Sequence, residues 1–233
     1  MYILSALLPV ILLIGYIVLR DHSRPEPPMQ LVRGFVYGIV SALVALAIDS
    51  LMEAFGLYSI AATSGLDAMW NAFVMAALPE ETAKLLMLWL LLRHNRYFDE
   101  HLDGVVYAAC VGLGFAALEN VLYVVQSGDS WALTAIVRGL LAVPAHFFFA
   151  VLMGYYYSLV HFGHKRRQNQ ALVLAAPVLA HGIYDTLAMT SELSPVFGTI
   201  FFITLLLFCF QLGKLCQRHI SSLADADRRK GYQ

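Results

Sequence analysis

The sequence predicts an all-α membrane protein: a polytopic bundle of about seven transmembrane helices, with the N-terminus outside and the C-terminus in the cytoplasm. Three observations carry this expectation. Of the 233 residues, 60% are hydrophobic and only 13% are charged, with a mean hydropathy of +0.69; a water-soluble domain runs nearer half apolar and a quarter charged. Seven apolar stretches reach the length, about 20 residues, that a helix needs to cross the hydrocarbon core. The basic residues, finally, fall in alternate loops. The formal charge of −1 says little, because a global balance hides where charges sit. Membrane lipid is the expected surrounding, and no nucleic-acid partner is expected.

In order, the spans are roughly 2–19, 31–55, 66–92, 104–125, 131–160, 171–189 and 195–213. The first has no basic n-region and ends in Leu19-Arg20-Asp21, not at a small-residue cleavage site, so it reads as a helix and not a signal peptide. Arg24-Pro25-Glu26-Pro27-Pro28 cannot be helical and reads as a stiff cytoplasmic connector. Arg20, Arg24 and Arg33 bracket that first loop. Arg93 and Arg96 follow the third span, and Lys165, Arg166 and Arg167 follow the fifth. Lys214, Arg218, Arg228, Arg229 and Lys230 fill the tail. The loops around 56–65, 126–130 and 190–194 contain no lysine or arginine, which orients the chain. No loop is long enough to hold a soluble domain. One membrane domain over 1–233, with a core of about 30–215, accounts for the chain. Cys110, Cys209 and Cys216 have neither metal-knuckle nor redox spacing and read as small buried hydrophobes.

Ionisable side chains inside a span cost about 2.5–3.5 kcal/mol each on insertion scales, so each one calls for a reason. The third span carries Leu78-Pro79-Glu80-Glu81-Thr82-Ala83-Lys84 about halfway along, and the fourth carries Phe115-Ala116-Ala117-Leu118-Glu119-Asn120. The fifth carries Arg138 and then Pro144-Ala145-His146; the sixth carries His181-Gly182-Ile183-Tyr184-Asp185. Four consecutive spans thus place polar groups at similar depth.

Spacing sharpens this. Glu80 and Lys84 are four apart, so they share a face and can pair. Glu81 lies about 100° round the helix and is expected to look elsewhere. Neighbouring carboxylates repel, which favours a group able to take a proton near neutral pH. His181 and Asp185 are also four apart, so the Asp can hold the imidazole in one tautomer. Pro79 and Pro144 each remove a backbone hydrogen bond next to a polar group, as the wall of a water-filled cavity would tolerate.

Two histidines with carboxylates from separate helices match zinc in donor type. They equally match a metal-free site in which Glu activates water and His stabilises an oxyanion, and there is no HExxH to decide between the two. Arg138 reads as the counter-ion of Glu119. Asp49, Glu53 and Asp103 read as interfacial or structural, and His161 and His164 as solvated.

These motifs resemble those of the PrsW family of intramembrane proteases. The matching pieces are Glu80-Glu81-Thr82-Ala83-Lys84 (EExxK), Asp103-Gly104-Val105-Val106-Tyr107 leading to Gly112-Leu113-Gly114-Phe115-Ala116-Ala117-Leu118-Glu119-Asn120, the isolated His146, and His181-Gly182-Ile183-Tyr184-Asp185 (HxxxD), in order over roughly 30–215. More distantly the pattern is similar to the CAAX prenyl protease and bacteriocin-immunity superfamily. The second motif there is FxxxH, and Glu119 stands at the matching place here.

The resemblance implies a multi-pass protease of the bacterial cytoplasmic membrane that cleaves a single-span protein, typically an anti-sigma factor in envelope-stress signalling. Carried over by position, Glu80 and Glu81 would supply the water-activating base. Glu119, His146 and His181 would be metal ligands or oxyanion partners, and Asp185 would orient His181. Zinc is the metal expected. Two other classes share some of these features. A proton- or ion-coupled transporter also has midplane carboxylates and broken helices, although no inverted repeat is visible. A non-catalytic immunity-type membrane protein would not need the full candidate set, which is retained.

Overall fold

The computed structural model describes residues 2–21, 24–56, 62–164, 166–193 and 195–230, and every regular element among them is helical. Lys165 of the basic loop after the fifth span and residues 57–61 of the loop around 56–65 lie outside the described residues. Helix α1 (Tyr2–Arg20) leads through the Pro-rich connector to α2 (Pro28–Ala54). Pro27 is extended there (φ −57°, ψ 129°) and Pro28 opens the helix, where its missing N–H costs nothing. Then come α3 (Gly65–Trp70), a π-helical turn (Asn71–Ala77) and α4 (Leu78–Leu92), followed by α5 (Asp103–Gln126), α6 (Trp131–Leu140), α7 (Ala142–His161), α8 (Arg166–Leu193) and α9 (Pro195–Lys230).

Six helical runs among the described residues are long and apolar enough to cross a membrane, one fewer than the seven spans expected. The third span is the exception. It is helical from Gly65 to Leu92 without a break, but it passes from α to π to α form and carries Asp67, Glu80, Glu81 and Lys84. Leu78 N–H bonds the Phe73 carbonyl five residues back. Pro79 next to it has no N–H to continue the α ladder, so the wider turn sits immediately before the two glutamates.

The fifth span is likewise not one straight helix. It breaks at Leu141 (φ −118°, ψ −61°), between α6 and α7. Pro144 cannot bond the Leu140 carbonyl, and the chain restarts with Ala145 N–H on Leu141 O at 2.9 Å.

Helix α5 forms the centre, with 78% of its apolar window buried against 17% for α1 and α9. Small residues let its neighbours approach. A Cβ on Gly38 of α2 would meet the Val111 carbonyl and lie 2.8 Å from Gly114 Cα, and one on Gly34 would lie 3.0 Å from Cys110 Cβ. This is the small-residue contact typical of helix pairs in lipid. Gly38→Val is expected to cost about 3 kcal/mol, the upper end of overpacking, because the atoms it meets are backbone. A thermal melt of the detergent-solubilised protein reads it. The three cysteines are free, Cys110 and Cys216 buried and Cys209 half-buried. Leu12, Leu43, Trp89, Leu140, Leu207 and Phe210 are exposed on the outer faces, as lipid-facing residues would be.

One end of the bundle is tied by polar contacts. Asp227 of α9 accepts from the backbone of His101 and Leu102, both at 2.9 Å, and contacts His101 Nδ1 at 2.6 Å. Asp103, the first residue of α5, holds the preceding loop by accepting from Asp99 N and Glu100 N. Tyr107 donates to Glu26, and burial of that connector residue pushes its carboxyl up to about 7. His161 and His164 are exposed.

Candidate active site

The site is assembled around Lys84. Its ammonium donates to Glu81 Oε1 at 2.7 Å and Glu80 Oε2 at 3.4 Å and lies 3.1 Å from His146 Nδ1. Those three contacts match the three donors an ammonium has. It also sits 3.8 Å over the Phe115 ring. Glu81 therefore does not look away from Glu80: i,i+3 spacing to Lys84 is as close as i,i+4, so one cation collects both acids. Their environments still differ. Glu81 is 0% exposed, whereas Glu80 is 9% exposed and lines a cavity.

The histidines come from the other side. His146, in the first turn of α7 after the Leu141 break, places Nε2 2.8 Å from Glu119 Oε2. With Lys84 on Nδ1, the contacts favour the neutral ring with its proton on Nε2. Glu119 is also paired to Arg138 Nη2 at 2.9 Å, the counter-ion expected. Arg138 in turn donates to Asn120 and covers the Tyr123 ring at 3.7 Å, and Asn120 donates to the Ala6 carbonyl of α1.

His181 lies between acids, with Nδ1 2.9 Å from Glu81 Oε1 and Nε2 3.1 Å from Asp185 Oδ2. Glu80 Oε2 is further from Nε2, at 3.9 Å. The ring stacks on Phe149 at 4.7 Å between centroids. Pro177 lies one turn earlier in α8, so a proline precedes the site residues on α4, α7 and α8. The Phe73 ring of the π turn packs against Gly182, where a Cβ would collide with it. Glycine beside His181 is what lets the π turn reach α8.

Six residues picked out in the sequence thus meet: Glu80, Glu81, Glu119, His146, His181 and Asp185. Ligand atoms of Glu80, His146 and His181 lie within 4.8 Å of one another. Glu119 is not in that triplet; it sits on the far nitrogen of His146. The donor set fits zinc in chemistry, two imidazoles and a carboxylate. The charges fit too, since four carboxylates (Glu80, Glu81, Glu119, Asp185) face two fixed cations (Lys84, Arg138). Glu81 Oε2 is buried without a hydrogen-bond partner among the described residues. Lys84 shares two of the triplet's members, Glu80 and His146.

A cavity of about 200 Å³ opens from Glu80 and Glu119 between α2 and α5, with Ala42, Ala45, Asp49 and Phe115 on its walls. Sequence reasoning missed Phe115, Phe149 and Asp49 as parts of the site. Phe149 carries no signal in an apolar span, and Phe115 stands out only as the first residue of the motif that ends in Glu119-Asn120. Asp49 looked interfacial, although its 42–45–49 spacing with two alanines already describes a single helix face.

Residues 26–211 match the family described as PrsW family intramembrane metalloprotease. A protein named Protease PrsW from Geobacillus kaustophilus is 35% identical over 185 residues, 79% of this chain and 78% of that relative. Proteins of the same name from Clostridioides difficile and Bacillus subtilis are 32% and 33% identical, each covering about four-fifths of both chains. No solved structure matches. The match spans all four helices that build the site, and the chain belongs to the PrsW family of intramembrane proteases.

Proposed function

We propose that this protease hydrolyses a peptide bond in a single-span protein of the bacterial cytoplasmic membrane, an anti-sigma factor of envelope-stress signalling, with Glu80 as the group that activates water. The observation that carries the assignment is the position of Glu80: it lines the cavity and its carboxylate groups with His146 and His181. Water in the cavity gives its proton to the Glu80 carboxylate as it attacks the scissile carbonyl, and Glu80 returns that proton to the leaving amine. Its link to Lys84 is the longer of the two, at 3.4 Å against 2.7 Å for Glu81, so it is the carboxylate less committed to structure. Glu81 acts as a positioning residue that holds Lys84 and His181. In the metal-free site His181, flanked by Glu81 and Asp185, would carry N–H groups suited to a developing oxyanion.

Zinc would be held by one nitrogen each of His146 and His181, unprotonated in that state, with the Glu80 carboxylate as the third donor. Bound there, zinc supplies Lewis-acid polarisation of the scissile carbonyl and acidifies water. Orientation with the N-terminus outside follows from the basic loops.

The test uses purified protein in nanodiscs with a tagged single-span anti-sigma factor. Wild type is expected to cut it and to contain zinc in stoichiometric amount, and His181→Ala to lose both. An active wild type without zinc after chelation would remove the metal from the reading. An inactive wild type with zinc restored would remove the substrate assignment.

A further inference from the structure

The cavity contains a carboxylate that nothing among the described residues answers. Of its three carboxylates, Glu80 is met by Lys84, and Glu119 by Arg138 and His146. Asp49 makes no hydrogen bond or ion pair among the described residues, and its Oδ1 is buried without a partner. A buried carboxylate oxygen left bare is costly until a donor reaches it.

The shape of the cavity says what kind of donor. Helices α2 and α5 touch at Gly38 and Gly114, and beyond Ala42 and Phe115 a space of about 200 Å³ separates them. That is too small for a drug-sized ligand and suited to a side chain. Its walls near the contact are apolar (Ala42, Ala45, Phe115), and Asp49 stands one turn further along α2 from Ala45. A long aliphatic stem ending in a cation matches that sequence of surfaces. An acidic side chain would face three carboxylates and be rejected.

We propose that this cavity seats a lysine or arginine of the substrate near the cut bond, and that Asp49 is the residue that selects it. The inference rests on the protease reading above. It adds to that reading a substrate class: single-span proteins with a basic residue at a fixed distance from the cleavage point.

The experiment is a survey of new N-termini by mass spectrometry, in membranes of cells making wild type, Glu80→Gln, Asp49→Asn, Asp49→Glu or Asp49→Lys. Termini present with wild type and absent with Glu80→Gln are the cuts made by this enzyme. They are expected to carry Lys or Arg at one fixed position. Asp49→Asn is expected to lower the share of basic residues there at least about tenfold, and Asp49→Lys to replace them with Asp and Glu. Should Asp49→Asn lose every cut, Asp49→Glu, which keeps the charge, is expected to restore them; failure to do so overturns the proposal. An unchanged residue distribution in Asp49→Asn overturns it too, while wild-type cuts persist and the protease reading stands. No wild-type cut absent from Glu80→Gln would instead sink the protease reading itself.

Discussion

Glu80→Gln is expected to leave a folded, membrane-inserted protein whose cleavage rate falls by about 10²–10⁴-fold. The amide keeps the shape and an oxygen that Lys84 can still reach, and Lys84 retains its 2.7 Å bond to Glu81. What disappears is a group that can take a proton from water in the cavity. Glu81→Gln is the informative contrast. Glu81 is fully buried and receives both Lys84 and His181, so its loss is expected to lower stability as well as rate. Cleavage of a co-expressed single-span substrate, read by immunoblot beside a melt of each purified variant, separates the two. A Glu80→Gln enzyme within about tenfold of wild type would show that proton transfer runs elsewhere.

Lys84→Met is expected to have the largest effect on stability. It leaves Glu80 and Glu81 buried without their cation and His146 Nδ1 without its neighbour. Breaking a buried pair by removing one member costs about 3–5 kcal/mol, a large share of the 5–15 kcal/mol or so that holds a typical domain together. The variant should melt well below wild type and cut nothing. Adding Glu81→Gln to Lys84→Met removes both members of the closest pair and should recover much of the stability and none of the activity. A Lys84→Met protein that melts like wild type would mean that the acids are neutral without the lysine, and the clamp would not be electrostatic.

Much of this site is legible in the sequence, because ionisable residues in apolar spans stand out against a background that excludes them. The pairs at i,i+4, Glu80–Lys84 and His181–Asp185, followed from helix geometry, and Arg138 found Glu119 as charge balance required. Three things were not legible. The contact of Glu81 with His181 depended on where α8 delivers that ring, a tertiary fact, although its i,i+3 pairing with Lys84 is local. The break at Leu141 is marked only by Pro144, and proline inside a membrane helix is often accommodated without one. The involvement of Asp49 depended on α2 and α5 diverging beyond Gly38, which no local pattern encodes. Its position near the end of a span made the interfacial reading the natural one.

The π turn at Asn71–Ala77 bears on how sequences of this kind are aligned and altered. A π turn holds one more residue than the α turn it replaces. Deleting a single residue between 71 and 77 would let the segment relax to a regular helix while everything after it keeps nearly the same facing, because the π turn takes up its extra residue within one turn. Glu80, Glu81 and Lys84 would still face the cavity, and what is lost is the wider turn that carries the Phe73 ring against Gly182. A one-residue gap in that stretch when related chains are compared therefore leaves the motif its direction, whereas one in the regular helix between 81 and 84 would turn Lys84 about 100° away from the acids.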